Sequence, residues 1–320
     1  MRRLTAGWGR LVASAGIFGV LVWRLGTGPF LDGVRTVDGR ALVAAAGLAL
    51  LTTVACAWRW KIVADGLGVH LSLPAAVAAY YRSLFLNLTL PGGVVGDVHR
   101  GVSHGREVSD VGRALRAVGW ERFAGQVVQA VLTVVLLSAL PSPVHSSMPW
   151  IAIGLLVAIA CLVLVARARP RDGRVWSTAL GDIRDGLLAR KAWVGIALAS
   201  AVVVVGHAAT FVIAARTAGV TEPLSRLLPL ALLVMLIMVV PSVAGWGPRE
   251  GGAAWVFGAA GLGAHLGVTT AVAYGVMVLV ASLPGAVVLV VSWSRRTRLP
   301  VPTESRRRGS STCLTAHTPS

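Results

Sequence analysis

The stretch AWVGIALASAVVVVGHAATFVIA, at residues 192–214, decides the fold class of this chain. Throughout its length it contains no aspartate, glutamate, lysine or arginine. A helix needs about 20 apolar residues to cross the hydrocarbon core of a bilayer. The stretch therefore predicts a membrane-spanning helix, and similar stretches recur on both sides of it.

Further apolar stretches of span length occur at 11–28, 41–58, 118–140, 149–166, 224–240 and 268–293. Two weaker stretches, each compatible with a full span or a re-entrant half-helix, lie at 73–90 and 251–264. The first is interrupted by polar side chains, and the second is short and rich in glycine. We expect an all-α fold, a polytopic helical membrane protein with about eight transmembrane helices plus a re-entrant segment.

The composition of the 320 residues agrees with this fold class. Hydrophobic residues make up 55% and charged residues 13%, and the mean hydropathy is +0.74. These values exclude a soluble enzyme, a disordered chain and a disulfide scaffold. The formal net charge is +17. In so apolar a chain, we assign the excess of basic residues to cytoplasmic loops, and we expect no nucleic-acid partner.

The distribution of basic residues predicts the orientation in the membrane. The linker 141–149 has no lysine or arginine and should lie outside, whereas the strongly basic linker 167–191 should be cytoplasmic. Both termini are basic and are also expected in the cytoplasm. The number of spans agrees with these predicted sides if 73–90 enters and leaves the membrane on the cytoplasmic side while 251–264 crosses it. We expect residues 1–293 to form the membrane domain and 294–320 a disordered basic cytoplasmic tail.

Two segments interrupt the apolar pattern: NLTLPGGVVGDVHR at 87–100 and PSVAGWGPREGG at 241–252. Broken backbone is tolerated at membrane depth only where it is buried in protein or lines a wet cavity. The N–H groups freed at a following helix start attract anions, and an arginine can bind phosphate through two hydrogen bonds. The backbone bends are expected at Pro91, Gly92, Gly93, Gly96, Pro241, Gly245 and Gly247.

The two segments share a loose spacing. In each, an arginine follows a glycine by four residues, as in Gly96 and Arg100 and in Gly245 and Arg249. Paired broken segments in the two halves of a membrane chain indicate a transporter site. The alternative is that both are ordinary turns at the membrane surface, with local ion pairs between neighbouring acids and bases.

Other ionisable residues lie in or near predicted spans. Arg82, inside the stretch 73–90, needs water, a carboxylate or a lipid phosphate, with Asp97 or Glu121 as possible partners. His207 is more consistent with a hydrogen bond to a neighbouring helix than with a proton relay, and we expect His99 and His104 to be solvated. The expected headgroup-binding set is Arg82, Asn87, Asp97, Arg100, Glu121, Arg122, Arg249 and Glu250.

These segments resemble the lysylphosphatidylglycerol synthase transmembrane-region family, also called flippase-like membrane proteins. That family typically shows an LPGGxGGD-x-x-R stretch, an Asp-Arg pair in a following helix and a GGxGxREG stretch. The corresponding residues here are those at 87–100, the pair Glu121-Arg122 and PSVAGWGPREG at 241–251. The resemblance covers about residues 10–293. The sequence departs from the family pattern at Val95, Glu121, Ala244 and Pro248.

The resemblance implies a function in lipid movement. In the multiple-peptide-resistance members, this region is thought to move aminoacylated phosphatidylglycerol between leaflets, and a separate soluble domain makes that lipid. Only residues 294–320 follow the last predicted span, so we expect no such domain and no lysyl transfer. Other stand-alone members are linked to polyprenyl- or dolichyl-phosphate glycolipids and to hopanoid pathways.

The favoured hypothesis is a translocase or binding protein for an anionic phospholipid or a polyprenyl-phosphate-linked lipid in a bacterial plasma membrane. Its expected partners are membrane lipids and a lipid-modifying enzyme. No cofactor or metal is expected, because Cys56, Cys161 and Cys313 lack metal-ligand spacing. Two alternatives remain: a membrane glycosyltransferase or lipid-phosphate transferase with Asp97 or Glu121 as base, and a scaffold whose motifs serve helix packing.

Overall fold

The computed structural model describes residues 19–90, 93–140, 192–238 and 247–297, with short stretches at 16–17 and within 153–189. All regular structure in these residues is helical, which confirms the predicted all-α class. The helices named below are α1 (Gly28–Arg35), α2 (Gly39–Gly66), α3 (Leu73–Thr89), α4 (Val95–Glu107), α5 (Val111–Ala139), α6 (Ala192–Thr217), α7 (Leu224–Ile237), α8 (Pro248–Ala259), α9 (Ala264–Ala281) and α10 (Leu283–Thr297).

Four helical stretches of the described residues are long and apolar enough to cross a membrane. They are α2, α5, α6 and the run Ala264–Ser292, in which α9 continues into α10. These four coincide with spans predicted from the sequence at 41–58, 118–140, 192–214 and 268–293. The chain is therefore a multi-pass helical membrane protein, while the expected total of eight transmembrane helices stays a prediction.

The order and lengths of the helices repeat along the chain. Helices α2 to α5 contain 28, 17, 13 and 29 residues. Helices α6 to α8 contain 26, 14 and 12 residues, and the run that begins at Ala264 contains 29. Each half thus has a long helix, two short helices and a second long helix, and residues 239–246, between the short helices of the second half, lie outside the described residues.

The ends of α2 and α6 share the same local structure. Gly68 and Gly219, just beyond these ends, both have positive φ, at 76° and 89°. The amide of the following valine donates to a helix carbonyl five residues earlier, from Val69 to Ala64 and from Val220 to Ala215, at 2.9 and 3.0 Å. This pattern is a Schellman-type helix end, in which glycine avoids the strain of left-handed backbone.

The packing of the helices is also repeated. Helices α2 and α6 pack against each other at the centre. The last long helix of each half packs on the first long helix of the other half: α9 on α2, and α5 on α6. It also packs, or its continuation packs, on the first short helix of the other half: α10 on α3, and α5 on α7. Exchanging the two halves therefore reproduces the contacts among these helices.

In both halves, the second short helix lies close to a neighbouring helix. A Cβ at Gly96 would collide with the carbonyl of Ser83, so the backbones of α4 and α3 touch. A Cβ at Gly267 would likewise collide with the carbonyl of Ala253, which brings α9 onto α8. Such close approaches require glycine, and they hold α4 against α3 in the first half and α8 against α9 in the second.

Candidate functional site

A cluster of charged side chains, most of them buried, joins α2, α4 and α5 in the first half of the chain. We call Arg59, Asp97, Arg100, Glu121 and Arg122 the charge cluster. At its centre is Glu121 of α5, with no exposed surface. Oε1 of Glu121 accepts hydrogen bonds from Nε and Nη2 of Arg59 at 2.9 and 2.6 Å, and Oε2 accepts from Nη2 of Arg100 at 2.7 Å. The hydroxyl of Tyr80 also donates to Oε1, at 3.1 Å.

Asp97, in the first turn of α4, is the second carboxylate of the cluster. It accepts from Nε of Arg100 at 3.0 Å and forms an ion pair with Nη2 of Arg122 at 2.6 Å. Ser83 and Asn87 of α3 each donate to it at 3.1 Å. Burial alone raises the pKa of Asp97, but the charges of Arg122 and Arg100 prevail and hold that pKa below its usual value.

Asn87 also bridges the break between α3 and α4. Its side-chain oxygen accepts from the backbone N–H of Gly96 at 2.7 Å, while its amide donates to Asp97. Gly93, inside the break, has φ +64°, in the left-handed region that favours glycine. The polar side chain of Asn87 therefore satisfies a backbone donor that the interrupted helix leaves without a partner.

Arg100 is fully buried and lies between two aromatic rings. Its guanidinium carbon is 4.5 Å from the centre of the Trp60 ring and 4.3 Å from that of Tyr80. Together with its bonds to both carboxylates, these contacts place Arg100 inside the cluster, where it ties α4 to α5. His104, one turn later, is also buried and lies edge-on to Trp60, so the expected solvation of His104 is wrong.

Arg59, which sequence reasoning did not single out, completes the cluster from α2. Its Nη1 donates to Ser200 of α6 at 3.0 Å. A Cβ on Gly125 of α5 would lie within 2.8 Å of three guanidinium atoms, so this glycine provides the space for the side chain. The available signal was an arginine between Trp58 and Trp60 near the end of a predicted span, a position that also suits a membrane-interface anchor.

The charges of the cluster do not balance. Three guanidinium groups face two carboxylates, which leaves one positive charge in excess. Arginine stays protonated in proteins, so a change of protonation does not remove this excess. Of the three arginines, Arg122 has the most exposed side chain, at 44%.

Beside the cluster is a cavity of about 190 Å³, which we call the polar cavity. Helices α2, α3, α5, α6 and α9 contribute to its walls, and Gln126 and Gln129 continue the face of α5 that carries Arg122. Gln129 also donates to the carbonyl of Met235 on α7, at 3.2 Å. The polar side chains on the walls are Thr52, Thr53, Arg59, Tyr80, Arg122, Gln126, Gln129, Ser200, His207 and Thr210.

His207 and a second arginine–glutamate pair lie towards the other half of the chain. Nδ1 of His207 is 2.9 Å from the hydroxyl of Tyr274 on α9, which confirms the expected hydrogen bond to a neighbouring helix. The guanidinium carbon of Arg249 is 5.9 Å from the centre of the Tyr274 ring. Arg249 donates through Nε to Oε1 of Glu250 at 2.8 Å, and both side chains are buried.

The N-terminus of α8 is capped by the side chain of Glu250, which lies in the first turn of the same helix. Oε2 of Glu250 accepts from the backbone N–H of Gly247 at 2.7 Å, and Gly247 has φ +97°. A Cβ on Gly275 of α9 would meet the guanidinium of Arg249, as one on Gly125 would meet Arg59. In both halves, a glycine on a long helix thus makes room for a buried arginine.

The structure gathers the predicted headgroup-binding residues into two groups. Asn87, Asp97, Arg100, Glu121 and Arg122 meet in or beside the charge cluster, while Arg249 and Glu250 lie beyond Tyr274. Arg82 is half-buried on α3, two residues from Tyr80 and therefore on a different face of the helix. Of the predicted bend residues, Pro91, Gly92, Pro241 and Gly245 lie outside the described residues.

Comparison with known families agrees with this architecture. The family model described as lysylphosphatidylglycerol synthase TM region matches residues 7–285. The chain therefore belongs to this family, and the match concerns the family's transmembrane region. A search of curated proteins finds no match to the sequence.

Proposed function

We propose that this member of the lysylphosphatidylglycerol synthase transmembrane-region family binds the phosphate-bearing headgroup of an anionic lipid in the polar cavity and moves it between leaflets. The observation that carries the proposal is the excess positive charge of the cluster, with Arg59 and Arg122 on the cavity wall. Two carboxylates are shared among three guanidinium groups, and the least buried of these belongs to Arg122, so an anion that enters the cavity would balance the remaining charge.

The chemistry of the cavity defines the proposed cargo. A phosphodiester carries one negative charge, which would balance the cluster, and guanidinium groups match the geometry of phosphate oxygens. The cavity volume of about 190 Å³ is below the roughly 300–1,000 Å³ of pockets that enclose drug-sized ligands. We therefore propose that the headgroup alone enters, while the acyl or polyprenyl chains stay in the bilayer.

Translocation explains the site better than an enzymatic role. A catalytic base needs a lone pair that is free to accept a proton from the substrate. Each carboxylate instead already holds two arginines. Asp97 pairs with Arg100 and Arg122, and Glu121 pairs with Arg59 and Arg100. The two carboxylates are arranged to hold guanidinium groups, which suits the binding of an anion.

The repeated helix order supports a topology for such movement. A helix of 12 residues, such as α8, covers about 18 Å, which is short of the roughly 30 Å hydrocarbon core. We propose that α3–α4 and α7–α8 are both re-entrant hairpins, so that the second replaces both the span expected at 224–240 and the crossing expected at 251–264, which leaves six spans instead of eight. With the predicted spans at 11–28 and 149–166, each half has three spans, so the hairpins enter from opposite faces and both termini are cytoplasmic.

Lipid exchange in reconstituted vesicles tests the function. The purified chain is placed in vesicles that carry a fluorescent phosphatidylglycerol or a fluorescent phosphatidylcholine, and dithionite quenches the outer leaflet. We expect the wild type to accelerate exchange of phosphatidylglycerol above that in empty vesicles, with a smaller effect on zwitterionic phosphatidylcholine. Equal rates in protein-containing and empty vesicles would contradict the proposal.

A matched pair of variants tests the role of charge. Gln126→Glu adds a negative charge to the cavity wall, so phosphatidylglycerol exchange should fall more than about ten-fold, since like-charge contacts cost several kcal/mol. Gln126→Leu has a similar size and no charge, so it should retain most of the exchange. If both variants lose exchange equally, the cavity does not act by attracting an anion.

A further inference from the structure

A second cavity is also lined by Arg122. It has a volume of about 320 Å³ and lies between α4 and α5, and we call it the outer groove. Its lining is apolar, from Val94, Val98, Leu115 and Val118, apart from the side chains of Asp97 and Arg122. Val94 and Val98 are about half exposed, so the groove opens to the surface of the protein.

Arg122 borders both the polar cavity and the outer groove. Asp97, its ion-pair partner, borders the groove, so the ion pair lies in the wall between the two spaces. Arg59 lines the polar cavity, but Arg122 is the cluster arginine that reaches both. A phosphate that moves from the groove to the cavity would therefore meet Arg122 first.

We propose that the Arg122–Asp97 ion pair is a lateral gate, through which the headgroup of an anionic lipid passes from the outer groove into the polar cavity. This inference rests on the proposed function. Arg122 would exchange the carboxylate of Asp97 for the lipid phosphate. The apolar groove would hold the part of an acyl chain that lies next to the glycerol. The occupant is thus an anionic membrane lipid, which matches an apolar lining beside one cation.

The remaining contacts of Asp97 make this exchange inexpensive. When Arg122 leaves, Asp97 keeps the hydrogen bonds from Arg100, Ser83 and Asn87. The carboxylate therefore stays paired and satisfied, which avoids the large cost of an isolated buried charge. Arg122, with 44% of its side chain exposed, also has more freedom to move than the buried Arg100.

Gly119 offers a way to block the groove without disturbing the cluster. It lines the groove, and a Cβ built on it meets nothing within 4 Å. Gly119→Trp should therefore fill the groove while the helices keep their packing. Gly47, an exposed glycine of α2 that also faces open space, supplies the matched control Gly47→Trp.

The test measures exchange of fluorescent phosphatidylglycerol in vesicles of phosphatidylcholine and phosphatidylglycerol. We expect Gly119→Trp to lose exchange and Gly47→Trp to match the wild type. Arg122→Gln should lose about ten-fold or more, because it removes the charge and the paired donors that would hold the phosphate. Arg122→Lys, which keeps the charge, should retain part of the activity. Circular dichroism and size-exclusion profiles show whether each variant is folded.

The outcomes separate the gate from the function. If the wild type exchanges lipid and Gly119→Trp does so equally fast, the groove is not the route and the gate is overturned. If Arg122→Gln exchanges lipid as fast as the wild type, the proposed binding of the lipid phosphate by Arg122 is overturned. If the wild type itself shows no exchange above empty vesicles, the proposed function fails before the gate is reached.

Discussion

A Cβ atom on Gly125 would lie 2.6 Å from Nη1 of Arg59, so the guanidinium occupies the space that any other residue type would fill. The contact joins α5 to α2 at the point where Arg59 reaches Glu121 and Ser200. Gly275 provides the corresponding space for Arg249 in the second half. Each half of the chain thus holds a buried arginine that depends on a glycine of another helix.

Gly125→Ala should destabilise the protein by displacing Arg59. Inserting a methyl group into a packed site costs about 1–3 kcal/mol, and here the atoms that must move belong to a buried ion pair. Thermal unfolding in detergent measures the change. Gly119→Ala is the control, because a Cβ at this position faces open space. Equal unfolding midpoints for the two variants would show that Arg59 does not require a glycine at position 125.

Glu121→Gln should be among the most damaging single changes. It leaves Arg59 and Arg100 without their shared carboxylate, and breaking a buried pair in this way costs about 3–5 kcal/mol. The double variant Arg59→Met with Glu121→Gln removes one charge of each sign and should be less destabilised than the additive sum of the two single variants. Additive losses in the double-mutant cycle would show that the two residues do not interact.

Asn87→Ala should loosen the break between α3 and α4. The change removes the acceptor for the N–H of Gly96 and one donor to Asp97, a loss of about 1 kcal/mol per bond. Hydrogen exchange should become faster at the amides of residues 93–97 and stay unchanged in α6. Thr89→Ala, at an exposed site that bonds only its own helix in the described contacts, is the control and should leave these amides protected.

The proposed topology predicts opposite sides for two equivalent turns. His70 follows α2 and Thr221 follows α6, and both are exposed. In a chain with its three native cysteines replaced, a cysteine at position 70 should be labelled by a membrane-impermeant maleimide only from the cytoplasmic side. A cysteine at position 221 should be labelled only from the outside. Labelling of both from one side would exclude an inverted arrangement of the halves.

Several features of the site were within reach of sequence reasoning. The helical spacing of Arg122, Gln126 and Gln129 predicts a common face, and all three line the polar cavity. The mid-span position of His207 predicted a partner on a neighbouring helix, which is Tyr274. In these cases the signal is local, because a helix repeats every few residues and an isolated polar group in an apolar span needs a hydrogen bond.

The pairing within the charge cluster was beyond such reasoning. The sequence offered Glu121 as a possible partner for Arg82 but gave no sign that it also holds Arg59, 62 residues away. Arg59 in turn reaches Ser200, 141 residues away. Which carboxylate meets which arginine depends on how α2 lies against α5 and α6, and no local pattern encodes that arrangement.

By itself, the sequence determined the all-helical class, four of the membrane spans and the family, since hydrophobic length and short motifs are properties of contiguous residues. Only the tertiary structure decided that the cluster has one positive charge in excess, that Arg59 and Arg122 line a cavity, and that Arg122 also lines an apolar groove. The physical reason is that ion pairing and cavity walls arise between helices. Close packing at single glycines, such as Gly96 and Gly125, sets which side chains can meet.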